Sequence, residues 1–128
     1  MSAMSDYLET KLYDEVLRAT NYGAPTTVYV GLYTTASNDA GTATEVSGGA
    51  YARQAVTFGA STDGTGSNSV AVTFPQATAN WGTVQAFGIF DAATAGNLLL
   101  HGALTASKTV NTGDVFTFPI GQLTVTFA

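Results

Sequence analysis

The chain carries one histidine, His101, inside the apolar run Leu98-Leu-Leu-His-Gly-Ala-Leu104. Nucleophilic catalysis at that position needs a serine and an acid to converge on a strand interior. No nucleophile-elbow pattern stands nearby, so the expectation is a strand histidine hydrogen-bonded to backbone. Asp39, Glu45, Asp63, Asp91 and Asp114 stand singly in loops, well apart along the chain, and nothing in their spacing favours paired-carboxylate chemistry. Asp63-Gly64 in Ser61-Thr-Asp-Gly-Thr-Gly-Ser-Asn68 is similar to the start of a calcium loop. That loop needs further carboxylates at fixed offsets and a terminal glutamate, and the segment reads instead as a solvated turn. Gly48, Gly49, Gly64 and Gly66 do not form a phosphate cradle between a strand and a helix. Without cysteine there is neither a disulfide framework nor a thiolate metal site. No catalytic, cofactor-binding or metal-binding residue is therefore assigned, no cofactor is expected, and the chain reads as a non-enzyme.

Two groups of residues have a structural and a functional reading. Tyr7, Tyr13, Tyr22, Tyr29, Tyr33, Tyr51, Trp81 and the seven phenylalanines either pack a core and an interface or expose a row of rings for stacking on sugars. Trp81 is expected to be buried beside the strand Val84 to Phe90. Arg53 is one of two basic residues in the β-region. It is expected to pair with Asp91 or Asp114, or with an acid on a neighbouring chain.

The elements that hold these residues follow from periodicity. Residues 5–20, SDYLETKLYDEVLRAT, read as a helix. Ser5 or Asp6 supplies its N-cap, and Asp6 with Glu9 has capping-box spacing. Leu8, Leu12 and Val16 form its apolar stripe, with Ala19 alongside. Lys11–Glu15 and Asp14–Arg18 are opposite-charge pairs at i,i+4, and Asn21, Gly23 and Pro25 end the helix. It is expected to be either a lid on the β-domain or an arm that docks on a neighbour, with the short connection Asn21 to Pro25 favouring the lid.

From residue 26 onward the chain reads as strand and turn. Trp81 to Thr105 gives a hairpin broken at Asp91 to Asn97. Both of its alternating registers are apolar, which predicts cover on both faces or a central place in the sheet. Thr26 to Thr35 is a strand, with Val28, Val30 and Leu32 on one face. Ala36 to Gly49 is a long polar loop. Ala50 to Phe58 is a strand with Ala52, Val56 and Phe58 inward. Gly59 to Asn68 is a flexible turn region, and Ser69 to Phe74 a strand stopped by Pro75. Ser107 to Asp114 turns, and Val115 to Phe118 with Leu123 to Phe127 form the last strand or pair. The fold class is mainly β: an antiparallel sandwich or jelly-roll-like domain of six to eight strands with one N-terminal helix. Residues 1–128 are expected to form a single domain, 5–20 its helix and 26–128 its β-domain.

Charged residues make up 10% of the chain, against roughly 25% in an ordinary soluble domain. Little like-charge repulsion then opposes association, which implies that much of the surface meets other protein. The net charge of −5, with Lys11, Arg18, Arg53 and Lys108 the four basic residues, excludes a phosphate-binding surface and hence nucleic acid. No apolar run approaches the ~18 residues of a membrane span, and no basic-then-apolar leader pattern opens the chain.

The segments YLE at 7–9, TTVYVGLYTT at 26–35 and EVSGGAYARQAVTF at 45–58 resemble a family of small tailed-bacteriophage structural proteins, commonly labelled phage tail fibre proteins. So do residues 74–116, with their ANWG and GIFD blocks, and IGQLTVTF at 120–127. The resemblance implies a virion protein without enzymatic activity, assembled in the cytoplasm of the host bacterium. Its placement is either a tail appendage or a capsid decoration (cement) protein. Expected partners are other virion proteins of the tail or capsid, and further copies of the chain, with a trimer as the candidate symmetry. A carbohydrate-binding module, reading a host-surface glycan, is the alternative.

Overall fold

A computed structural model describes residues 2–127. The chain runs β1 (Ser2–Met4), α1 (Asp6–Leu17), β2 (Val28–Tyr33), β3 (Gln54–Val56), β4 (Thr65–Ser67), β5 (Val72–Thr73), β6 (Gly82–Phe90), β7 (Leu98–Val110), β8 (Thr117–Phe118) and β9 (Thr124–Thr126). A five-stranded antiparallel sheet has the order β1-β7-β6-β2-β3, and two small ribbons pair β4 with β9 and β5 with β8. The result is a mainly β, sandwich-like fold with one N-terminal helix, as the periodicity predicts. The strand number rises to nine because β1 and β4, three residues each, are too short to show alternation.

The β6–β7 hairpin is the centre of the large sheet, and Ala86 to Phe90 and Leu98 to Gly102 are buried without interruption. That is the pattern of strands covered on both faces. One face carries Val30, Leu32, Ile89 and Leu100 into the main core with Phe74, Trp81, Phe116, Phe118 and Leu123. The other carries Tyr33, Ala86, Phe90 and Leu98, with Ala43 of the long loop laid against them. Phe74, 1% exposed, is the hub of the aromatic packing, in contact with the rings of Tyr51, Trp81, Phe116 and Phe118. Trp81 is buried as expected, and its indole N–H donates to the carbonyl of Gly49 at 2.8 Å.

Several local expectations need correction. β7 does not turn at Ser107 but continues to Val110. Between the pairs Val84–Lys108 and Ala86–Ala103 the register shifts, so that Gln85 faces Leu104 to Ser107. The bulge breaks the alternation that would have extended the strand in a sequence reading. Ala52 points outward, whereas Val56 is buried and Phe58 packs on the core edge. The segment 59–68 holds β4 and a tight Thr62–Thr65 turn, with Asp63 and Gly64 both at positive φ. Asp-Gly suits that conformation. The two segments after Val115 are separate strands with different partners.

The join between them is set by Asn68, a residue with no sequence signal. Its side chain is 1% exposed, accepts from the Leu123 N–H at 3.0 Å, and donates to the carbonyls of Val70, Phe118 and Pro119. Replacing Asn68 with alanine leaves a buried N–H without a partner. The expected cost is about 1–3 kcal/mol, read as a lower midpoint of denaturant unfolding. A midpoint unchanged from the parent protein contradicts this assignment.

Helix α1 is capped by Ser5, not Asp6. The Ser5 hydroxyl accepts from the Leu8 N–H at 3.1 Å and donates to the Leu98 carbonyl, which ties the helix start to β7. The Asp6–Glu9 capping box does not form. The helix ends at Leu17, where Ala19 takes the left-handed conformation and Thr20 N–H returns to the Asp14 carbonyl, before Asn21 or Gly23 is reached. Of the expected stripe, Leu8 is buried, Leu12 is half-buried and Val16 is 73% exposed. Asp14–Arg18 forms at 3.1 Å. Lys11 lies over the Tyr7 ring and not against Glu15.

Candidate functional site

The face of the sheet opposite the main core is built around a pair of glycines. Gly31 of β2 and Gly88 of β6 stand directly across from each other. A Cβ on Gly31 would lie 2.8 Å from Glu45 Oε2 and 3.0 Å from the Tyr51 hydroxyl; one on Gly88 would lie 2.9 Å from Leu98, Phe90 and Tyr33. The missing side chains leave a depression in the sheet, and the long loop fills it with a polar network. Arg53 donates Nε and Nη2 to the two oxygens of Glu45, each at 2.9 Å. Its Nη1 donates to the carbonyls of Ala92 and Ala95, and its guanidinium stacks 3.5 Å from the Phe90 ring centre. The Tyr51 hydroxyl donates to Glu45 at 2.6 Å and accepts from the Leu32 N–H.

Burial alone would lower the Arg53 pKa. The hydrogen bonds and charge of Glu45 outweigh it and hold the guanidinium above its ordinary value. Tyr51 is pushed upward by burial and by the bond to Glu45. The expected partners of Arg53 are thus corrected: Asp91 instead holds Asn97, and Asp114 accepts from the Asn111 N–H. The hairpin break brings its carbonyls, not its carboxylate, to the arginine.

His101 is also corrected. Its bonds are to side chains: Nδ1 lies 2.8 Å from Ser37 Oγ, and Nε2 lies 2.7 Å from Asp39 Oδ1. A serine, an imidazole and a carboxylate therefore do converge, because the loop after β2 folds back over β7. The loop is fixed further by the Asn38 side chain on Thr42 and by the Asp6 N–H on the Asp39 carbonyl. The Asp39 side chain is 47% exposed, unlike the sealed acid that orients a catalytic histidine. Ser37 sits on an irregular loop and not on a strained strand-to-helix turn. The row Ser37–His101–Asp39 has the geometry of a fastener for the loop.

Between α1 and this loop lies a cleft of about 440 Å³ bordered by Asp6, Tyr7, Tyr33, Asp39, Glu45 and Arg53. Carboxylate oxygens of Asp6, Glu9 and Asp39 come within 4.8 Å of one another at its rim. On the other side of α1 an apolar groove of about 640 Å³ runs past Leu12, Tyr22, Val28, Phe58 and Phe127. Tyr13, Val16 and Leu17 of the same helix do not line the groove and are 59%, 73% and 67% exposed. Among the large apolar and aromatic residues described, the exposed rings are Tyr13 and Phe127. Trp81 and Tyr33 are buried, so they provide no stacking platform. No helix among the described residues is long and apolar enough to cross a membrane.

No curated protein matches the chain. A family model does: that of the podophage GP4 fiber I protein gp80, over residues 3–126. The matched span takes in the segments on which the resemblance to phage tail fibre proteins rests, all but the last residue of the 120–127 segment. It also contains the glycine pair, the Glu45–Arg53–Tyr51 network and the Trp81–Gly49 bond. The chain belongs to the podophage GP4 fiber I protein gp80 family, and with it to the fibre components of phage particles.

Proposed function

We propose that the protein is a non-enzymatic structural component of the virion, joined to the particle by protein–protein contacts as a fibre-type tail appendage. The observation that carries this reading is the family match across residues 3–126. The apolar groove beside α1 supports it, since apolar surface of that extent marks contact sites, and Tyr13, Val16 and Leu17 expose further apolar surface on the same helix. The low content of charge points the same way. Self-association, with a trimer as the candidate, and assembly in the host cytoplasm belong to the same proposal. Of the alternatives, a glycan-reading module is the less favoured, because the buried Trp81 and Tyr33 rings are out of reach of a sugar face.

The test is quantitative mass spectrometry of purified particles. A tail appendage predicts a few to a few tens of copies per particle, with the protein remaining on isolated tails. Hundreds of copies on isolated capsids would reassign it to capsid decoration. Absence from the particle, together with glycan binding by the isolated protein, would reject the structural role.

A further inference from the structure

We propose that the cleft between the first turn of α1, the loop after β2 and the glycine-paired face of the sheet is a socket for a basic side chain. The occupant is a lysine ammonium or arginine guanidinium presented by another virion protein. This rests on the structural role proposed above.

The charge of the cleft sets the sign of its ligand. Asp6, Asp39 and Glu45 border it against the single guanidinium of Arg53, and Glu9 adds a carboxylate at the rim. The positive end of α1, roughly half a charge, leaves the cleft negative. Four of the five Arg53 N–H groups are engaged, two with Glu45 and two with backbone carbonyls, so most of its donor capacity is turned into the wall. The cleft is therefore rich in acceptors, and an anion would be repelled.

A second observation is independent of the acids. Tyr33 is 2% exposed and borders the cleft, yet its hydroxyl bonds to no described residue. It is not sealed in either: among the described residues the buried side-chain polar atom without a partner is the Tyr22 hydroxyl. The Tyr33 hydroxyl thus opens to the cleft with an unused lone pair. Burial, and after it the charge of Glu45, push its pKa up to about 12, so it is a neutral phenol at physiological pH. A phenol this enclosed by protein, with no protein partner for its hydroxyl, leaves a hydrogen-bonding position open to a ligand in the cleft. A donor that brings positive charge satisfies the phenol oxygen and the free oxygens of Asp6 and Asp39 together. A neutral sugar would find acceptors for its hydroxyls but few donors for its own oxygens. The wall of the cleft already holds one guanidinium by this chemistry, with Arg53 between Glu45 and Phe90.

The experiment is an amide NMR titration of the whole protein with N-acetyl-arginine amide and N-acetyl-lysine amide. N-acetyl-citrulline amide, methyl N-acetylglucosaminide and calcium chloride serve as comparison probes. Both cationic amides should shift the resonances of Tyr33, Asp6 and Asp39 with millimolar affinity. Citrulline should bind about tenfold more weakly or not at all, and added salt should weaken the cationic amides. Tyr33→Phe, which keeps the ring, and Asp6→Asn, which lies on the surface, should each reduce the affinity several-fold with spectra otherwise unchanged. Absence of these shifts, equal binding of citrulline, shifts from the sugar alone, or saturation of the site by micromolar calcium would overturn the socket. Particle incorporation is scored separately. Full incorporation of the Tyr33→Phe, Asp6→Asn double variant would overturn the socket and leave the virion role intact. Absence of the parent protein from particles would overturn that role, and with it the occupant.

Discussion

Glu45→Ala is expected to destabilise the protein by about 3–5 kcal/mol, because it leaves the Arg53 guanidinium buried without its counter-charge. The Arg53 side chain is 10% exposed and cannot swing into water without leaving Phe90 and the carbonyls of Ala92 and Ala95. Glu45 is also the acceptor for the Tyr51 hydroxyl, so one substitution removes three hydrogen bonds. In a chain of 128 residues that loss corresponds to a fall in melting temperature on the order of 10–20 °C. Arg53→Met made on top of Glu45→Ala should cost much less than the sum of the two single changes, since it removes the orphaned charge. Calorimetry of the four proteins measures the coupling. A loss under about 1 kcal/mol for Glu45→Ala would place the pair with ordinary surface salt bridges.

The network explains which parts of the molecule are legible in its sequence. The β6–β7 hairpin is readable because a strand buried on both faces must be apolar in both registers. The main core is readable for the same reason, and Trp81 falls where the alternation places it. The site side of the sheet is not. Glu45 and Arg53 stand eight residues apart across a loop, and Gly31 and Gly88 look like weak points in strands. Their meaning appears only once β2 and β6 are in register and the two missing Cβ atoms face each other. The sole partial signal is that Gly31 and Gly88 interrupt otherwise bulky runs, which marks a close approach without saying of what. Asn68 and the contact of Ser37 with His101 likewise depend on long-range closure, across 55 and 64 residues. Arg53, as one of two basic residues in the β-region, reads as a partner for Asp91 or Asp114; the hairpin break does reach it, but with the carbonyl oxygens of Ala92 and Ala95 and not with the acid.

Helix α1 gives the second large effect, and it should be graded along the helix. Leu8→Ala is expected to cost about 2–5 kcal/mol, the range for a buried leucine whose cavity does not collapse. Leu8 is 4% exposed, one turn from the cap that ties the helix to β7 through Ser5. Leu12, half-buried along the groove, should cost roughly half as much on truncation, by the area it removes from water. Leu17→Ala should change stability by less than about 0.5 kcal/mol, since an exposed side chain loses little. A helix that were a lid over its whole length would show three similar losses. The burial instead makes the first turn an anchor, while the last turns carry Tyr13, Val16 and Leu17 outward. Leu17→Ala and Val16→Asp should therefore leave the melting curve of the isolated protein in place. If the outward face is where a neighbour sits, the same changes should reduce the protein's yield on purified particles, whereas Leu8→Ala should lower the yield only in proportion to the folded fraction. A Val16→Asp protein that melts as the parent does and joins particles at full copy number would show that the neighbour lies elsewhere.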